Sequence, residues 1–180
     1  MVLTALFDMP EGKAQLMLSY DISAAGEVNV TQKMTTDKEV QVADLFRFGL
    51  QLQMPATFSK LEYYGRGPEE NYVDRHSSAF IGKYESDVKD EYYPYIRPQE
   101  SGNHTDIRYF SIFNPTTGKG IIFEGYEPME CSAIPYLVAD LDSGIEKTHA
   151  WGQHNGDLVD KGLVQLHIQK CQYPLGCIDS

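Results

Sequence analysis

Over residues 46–54 the sequence alternates with a period of two. Phe46, Phe48, Leu50, Leu52 and Met54 are apolar, and Arg47, Gly49, Gln51 and Gln53 stand between them. A period of two puts alternate side chains on opposite faces of a strand, whereas the 3.6-residue period of a helix would scatter the same five around the axis. The pattern therefore predicts a strand with the even-numbered set facing a core and the odd-numbered set facing out. Residues 46–61 read as two strands broken near Pro55, because proline cannot donate to a ladder.

The same period recurs along the chain. Leu16, Leu18, Tyr20 and Ile22 alternate, Ala25-Gly26-Glu27 makes a turn, and Val28 and Val30 resume the alternation, which reads as a hairpin. A short strand is expected over residues 38–45 and another over 77–84, with the acidic stretch 85–91 as a loop. Residues 106–113, the turn Asn114-Pro115-Thr116-Thr117-Gly118 and a buried strand over 120–126 form a second hairpin. A short helix or turn is expected after Pro135, and residues 163–171 read as a late strand. Many short strands with turn residues between them and little helical periodicity predict an all-β sandwich or barrel.

Length and charge narrow the function. The chain has 180 residues, which suits one domain, residues 1–180, with a sizeable core. Fifteen Lys and Arg against 26 Asp and Glu give a net charge of -11, so no basic surface is expected to meet nucleic acid or an anionic membrane. A neutral sugar is compatible with that charge, and so is almost any small molecule. No run of about 18 apolar residues predicts a transmembrane helix. Residues 1–9 are too short and too acidic at their end for a signal peptide. Three cysteines, Cys131, Cys171 and Cys177, do not suit a disulfide framework or zinc spacing and are expected to be small buried thiols.

The densest polar stretch is Tyr63-Tyr64-Gly65-Arg66-Gly67-Pro68-Glu69-Glu70-Asn71-Tyr72-Val73-Asp74-Arg75. Two glycines and a proline predict a sharp turn, with Gly65 and Gly67 available for positive φ. A solvated surface turn and a binding loop both fit this composition. Glu69 and Glu70 are adjacent, so on an extended chain they point apart and make a poor facing pair for acid–base chemistry. His76 and His104 fall in or beside loops. His149 and His154 flank Trp151, with no spacing that favours zinc.

Four segments in order resemble the C-terminal domain of family 2 β-galactosidases. They are the Gly-x-Gly-Pro-x-Glu-Asn-Tyr-x-Asp-Arg stretch, Tyr93-Pro94-Tyr95-Ile96-Arg97-Pro98-Gln99-Glu100-Ser101-Gly102-Asn103, Ser132-Ala133-Ile134-Pro135-Tyr136 with Asp140-Leu141, and Leu166-His167-Ile168 through Leu175-Gly176-Cys177-Ile178-Asp179-Ser180. The resemblance implies an antiparallel supersandwich like that of galactose mutarotases. It implies that both catalytic glutamates lie in a separate barrel domain, so no catalytic residue is assigned here and the isolated chain is expected to hydrolyse no galactoside. It further implies that Gly65, Arg66, Gly67, Glu70, Asn71, Asp74, Arg75, Asp179 and Ser180 complete an active-site rim. In the family a tryptophan that stacks on sugar follows Asp-Ser, and a Trp-Arg-Ala-Pro-type segment precedes the domain. By that comparison the chain is expected to be shortened at both ends. Magnesium and sodium bind the barrel in such enzymes, so no metal is assigned to this chain. The implied partners are the barrel domain of the parent and a galactoside, in a parent that can be homo-oligomeric. A stand-alone carbohydrate-binding or mutarotase-like domain is the alternative, and a purely structural domain a weaker third.

Overall fold

The computed structural model of the chain describes residues 1–9, 14–36, 47–95, 100–141 and 158–170. Among them every regular element is a strand or a single 3-10 turn, so the all-β expectation holds. The strands are β1 (Val2–Asp8), β2 (Ala14–Ile22), β3 (Val28–Thr36), β4 (Gly49–Pro55), β5 (Lys60–Gly67), β6 (Phe80–Asp87), β7 (Asn103–Phe113), β8 (Gly120–Ile134) and β9 (Leu163–Lys170). No described helix is long and apolar enough to cross a membrane.

The chain divides into two compact units, Met1–Phe46 and Arg47–Ser180. The first holds an antiparallel sheet in the order β1-β2-β3, and the second an antiparallel sheet in the order β4-β9-β8-β7-β5-β6.

In the six-stranded sheet the period of two becomes a core. Leu61 and Tyr63 of β5, Phe110 and Ile112 of β7, Cys131 and Ala133 of β8, and Val164, Leu166 and Ile168 of β9 form one buried cluster. Alternate residues of neighbouring strands share a face. β4 joins at the edge in unbroken register, with Leu50 opposite Ile168, Leu52 opposite Leu166 and Met54 opposite Val164. The even-numbered side chains thus share the core face, as their alternation predicts. Met54 packs on the core while Leu52 stays 36% exposed, because an edge strand has neighbours on one side only. Phe46 and the strand expected over 38–45 lie outside the described residues.

Two expectations need correction, and one strand had no signal in the sequence. The acidic stretch after residue 84 is not a loop: β6 continues to Asp87 and ends in a 3-10 turn, Val88–Asp90. Its charge reflects an edge strand, on which alternate charged residues face water and discourage edge-to-edge pairing. Asp87 lies opposite Lys60 and accepts its ammonium at 2.8 Å. The strand expected to be buried over 120–126 is longer and mostly exposed there. β9 pairs only with residues 129–134 of β8, and the side chains of Cys131 to Ile134 are buried where that second neighbour is present. Finally, residues 2–8 form β1, a strand with no alternation to announce it.

Cys131 is fully buried, and burial pushes its thiol well above the ordinary range. A thiolate is the reactive form. In the folded protein Cys131 should therefore be alkylated at least ~100-fold more slowly than a free thiol, measured by mass spectrometry of the Cys131 peptide, with full reactivity restored in urea. Labelling at the free-thiol rate would contradict the burial. Cys171 and Cys177 lie outside the described residues.

Candidate functional site

The Gly-Pro stretch begins as strand rather than turn. Gly65, Arg66 and Gly67 are the last residues of β5, and both glycines are buried. Neither has positive φ; among the described residues the positive-φ glycines are Gly26, Gly102, Gly118 and Gly162. The sequence expectation of turn glycines is corrected accordingly. What requires glycine is close approach. A Cβ on Gly65 would lie 2.4 Å from Cδ1 of Ile107, and one on Gly67 would lie 2.6 Å from the Tyr63 hydroxyl and 2.8 Å from the Tyr84 ring. Gly67→Val should destabilise the chain by about 1–3 kcal/mol through overpacking, read as a shift in the urea midpoint. An unchanged midpoint would show that Tyr63 and Tyr84 move aside freely.

Past the Gly67–Pro68 cis peptide the chain turns around one buried side chain, Asn71, which is 1% exposed. Its Nδ2 donates to the carbonyls of Arg66 (3.1 Å) and Glu69 (3.0 Å). Its Oδ1 accepts from the backbone N–H (3.0 Å) and hydroxyl (2.5 Å) of Thr105. Its backbone N–H donates to the Asn103 carbonyl (2.7 Å), and Asn103 Nδ2 returns a bond to the Asn71 carbonyl (2.9 Å). An amide has two donor hydrogens and two acceptor lone pairs, and Asn71 uses all four. The Tyr63 hydroxyl adds a bond to the Pro68 carbonyl (3.1 Å). The connector is thereby fastened to β5 and to the start of β7.

The charged residues divide into two groups. Glu70 is turned inward: its Oε2 accepts from the Gly102 N–H (2.7 Å) and its Oε1 from the Arg75 guanidinium (3.0 Å). Arg75 also donates to the Tyr95 hydroxyl, and its guanidinium lies 4.5 Å from the Tyr72 ring centroid and 5.2 Å from that of Tyr95. Such stacking is favourable between a cation and the ring quadrupole. Burial, reinforced by Glu70 and Glu100, raises the Tyr72 hydroxyl far above its ordinary range. Arg66 donates through Nε to Asp106 (2.5 Å) and through Nη1 to the Ala79 carbonyl (2.9 Å). Asp106 has a φ of +54°, at an irregularity in the β7–β8 register. Pro68, Glu69, Asp74 and Arg75 form the exposed edge, and Asp74 has no hydrogen bond among the described residues.

Behind the connector, His104 of β7 is buried against Glu91, Nε2 to Oε2 at 2.7 Å, and its Nδ1 lies 3.2 Å from the Arg66 carbonyl. His76 is half-buried, with Nδ1 3.5 Å from the Thr105 hydroxyl. Glu100 is raised chiefly by burial, with Glu130 and Glu70 adding to the shift and Arg47 opposing it. Among the described residues no group of three or more His, Cys, Asp or Glu is arranged to hold a metal ion.

The structure thus brings together Gly65, Arg66, Gly67, Glu70, Asn71 and Arg75, and leaves Asp74 at their exposed edge. Asp179, Ser180, His149, Trp151 and His154 lie outside the described residues. Sequence reading missed Thr105, Asp106 and the Glu91–His104 pair. Asn103 and Tyr95 were signalled by the Tyr-Pro-Tyr segment, though not their partners.

A family model described as the β-galactosidase small chain matches residues 2–180. The chain belongs to the β-galactosidase small-chain family. It is similar to the β-galactosidase of Priestia megaterium, 34% identical over 130 residues, which cover 72% of this chain and 12% of that protein. The β-galactosidase of Lactobacillus delbrueckii subsp. bulgaricus is 33% identical over 131 residues, covering 73% of this chain and 13% of the relative. That of Kluyveromyces lactis is 36% identical over 136 residues, covering 72% and 13%. This small-chain sequence therefore spans about an eighth of the length of these curated relatives.

Proposed function

We propose that this chain is a non-catalytic part of a β-galactosidase, and that the exposed edge of the 65–75 connector completes the rim of an active site carried by a barrel domain elsewhere in the parent. In this reading the parent hydrolyses terminal β-galactosides, and its magnesium and sodium ions belong to the barrel. The six-stranded sheet is one layer of a supersandwich. The observation that carries the proposal is the way the connector is held. A buried Asn71 with every hydrogen bond satisfied fixes a surface edge of Glu69, Asp74 and Arg75. Binding residues sit on loops held by a rigid scaffold. The arrangement can position and recognise. Both oxygens of Glu70 are already hydrogen-bonded, which suits a fixed acceptor more than a proton carrier.

The mutarotase-like alternative gains nothing from His104. His104 and Glu91 face each other with side chains 1% and 7% exposed, leaving no access for a sugar.

The test uses Asp74→Ala in the parent enzyme, because an exposed residue with no described partner should change stability by less than ~0.5 kcal/mol. The expected result is a fall of about tenfold in kcat/KM on a chromogenic β-galactoside, equivalent to ~1.4 kcal/mol of transition-state stabilisation, at unchanged Tm. The isolated chain should give no turnover above background. Unchanged kinetics in Asp74→Ala would remove the connector from the rim, and turnover co-purifying with the isolated chain would overturn the non-catalytic reading.

A further inference from the structure

Arg47 stands at a corner of the six-stranded sheet where three elements meet. The pairing of β4 with β9 sets Gly49 opposite Gln169 and Gln51 opposite His167. It runs on past the start of β4, where the Lys170 N–H donates to the Phe48 carbonyl (3.1 Å). Arg47 lies two residues before Gly49, so alternation puts it on the face that carries Gln169 and His167. On that face β8 adds Glu130 opposite Gln169 and Ser132 opposite His167, and Gln169 Nε2 donates to Glu130 Oε2 at 3.0 Å. The Arg47 guanidinium forms an ion pair with Glu100, in the segment ahead of β7. The next residues of that segment fasten the connector, Gly102 to Glu70 and Asn103 to Asn71. The ion pair therefore ties the entry of β4 to the segment that anchors the connector. All of these groups belong to the unit Arg47–Ser180.

Within this polar layer Nε2 of His167 is buried and has no hydrogen-bond partner among the described residues, which buried polar atoms rarely lack. No bond at that atom holds His167 in one protonation state. Among the described residues, the charged and titratable groups around Arg47 and His167 are Glu100, Glu130 and, from the connector, Glu70, Tyr72 and Arg75. Burial raises the Glu100 carboxyl against the pull of Arg47, and Glu130 and Glu70 add to the rise. Burial, with Arg47, lowers the His167 imidazole. Both shifts point into the interval between the ordinary carboxylate and imidazole values.

We propose that Arg47 is an acid-released tie: below neutral pH Glu100 takes up a proton and stops holding the guanidinium, His167 takes up a proton and repels it, and the start of β4 opens from β9 while the rest of the sheet stays closed. Both events act on one guanidinium in the same direction. Their effects on global stability have opposite signs. The raised Glu100 contributes stability that is present at low pH and lost as pH rises through its folded value. The lowered His167 contributes stability that is present at neutral pH and lost as pH falls through its folded value. The two linkages offset each other, which keeps the response local. It falls on β4 because that strand pairs with β9 alone, and elements with few neighbours open first.

The inference does not depend on the rim reading. The experiment is amide hydrogen exchange of the 180-residue chain, followed by NMR at about pH 7.5 and about pH 5 and corrected for intrinsic exchange rates. The Lys170 N–H reports the opening, and the Asn71 N–H, bonded to the Asn103 carbonyl at 2.7 Å, reports the rest of the fold. The expected result is a Lys170 protection factor at least ~10-fold lower at the acid pH, with Asn71 unchanged. Glu100→Gln, which offers the guanidinium no charge, should show the lowered Lys170 protection already at neutral pH. Equal Lys170 protection at both pH values in the wild type overturns the proposal. A parallel loss at Asn71 also overturns it, because it marks global acid unfolding, as does full Lys170 protection at neutral pH in folded Glu100→Gln. If that variant does not fold, the wild-type comparison decides alone. Unchanged kinetics in Asp74→Ala would end the rim reading and leave this one standing.

Discussion

Asn71→Ala is expected to lower the unfolding free energy by about 3–5 kcal/mol, a large share of a typical domain's stability. The size follows from the groups left behind. Removing the amide strips partners from the Arg66 and Glu69 carbonyls and from the backbone N–H and hydroxyl of Thr105. Each buried polar group without a partner costs about 1–3 kcal/mol, and the Arg66 carbonyl keeps a neighbour in His104, so the sum falls short of four full penalties. Asn71→Asp makes an informative companion. It keeps the acceptor for Thr105 and sets a carboxylate oxygen against two carbonyls, so at neutral pH it should be no less damaging than alanine. Urea unfolding followed by tryptophan-independent far-UV signal measures both. A loss below ~1 kcal/mol for Asn71→Ala would mean that water replaces the amide cheaply and that the connector is not fixed by this residue.

The strands that announced themselves in the sequence are those whose side chains alternate apolar and polar. β2, β3, β4 and β9 alternate, and the structure places each where its alternation predicts. β1 did not, because Val2, Leu3, Leu6 and Phe7 put apolar groups on both of its faces and erase the period. The end of β6 was misread for the opposite reason: an edge strand tolerates enough charge to resemble a loop. At the candidate site the sequence supplied the residues but not their roles. Glycine reads alike whether the backbone needs positive φ or a neighbour needs its missing Cβ, and at Gly65 and Gly67 the neighbours are Ile107, Tyr63 and Tyr84. Thr105 and Asp106 lie thirty residues or more beyond the connector. Only the antiparallel pairing of β5 with β7 brings them back to it.

The second large effect concerns the Glu91–His104 pair, for which single truncations should each cost about 3–4 kcal/mol while the double variant costs well below their sum. The Arg66 carbonyl can only accept, so the proton on His104 Nδ1 is fixed by that contact at 3.2 Å. Nε2 faces Glu91 Oε2 at 2.7 Å. Glu91 Oε1 also accepts from the Ser86 hydroxyl at 2.5 Å, which ties the end of β6 to the same group. Removing either partner leaves the other buried beside apolar Tyr63, whose ring lies 4.4 Å from the imidazole. Replacing both with shape-matched apolar residues, Glu91→Leu with His104→Phe, removes the orphan as well as the bond. A thermodynamic cycle over the wild type, the two singles and the double should therefore give a coupling energy of about 1.5–3 kcal/mol. Additive losses, with coupling under ~0.5 kcal/mol, would show that the two side chains contribute independently. The connector would then owe its anchorage on this side to the Arg66 carbonyl and Asn71 alone.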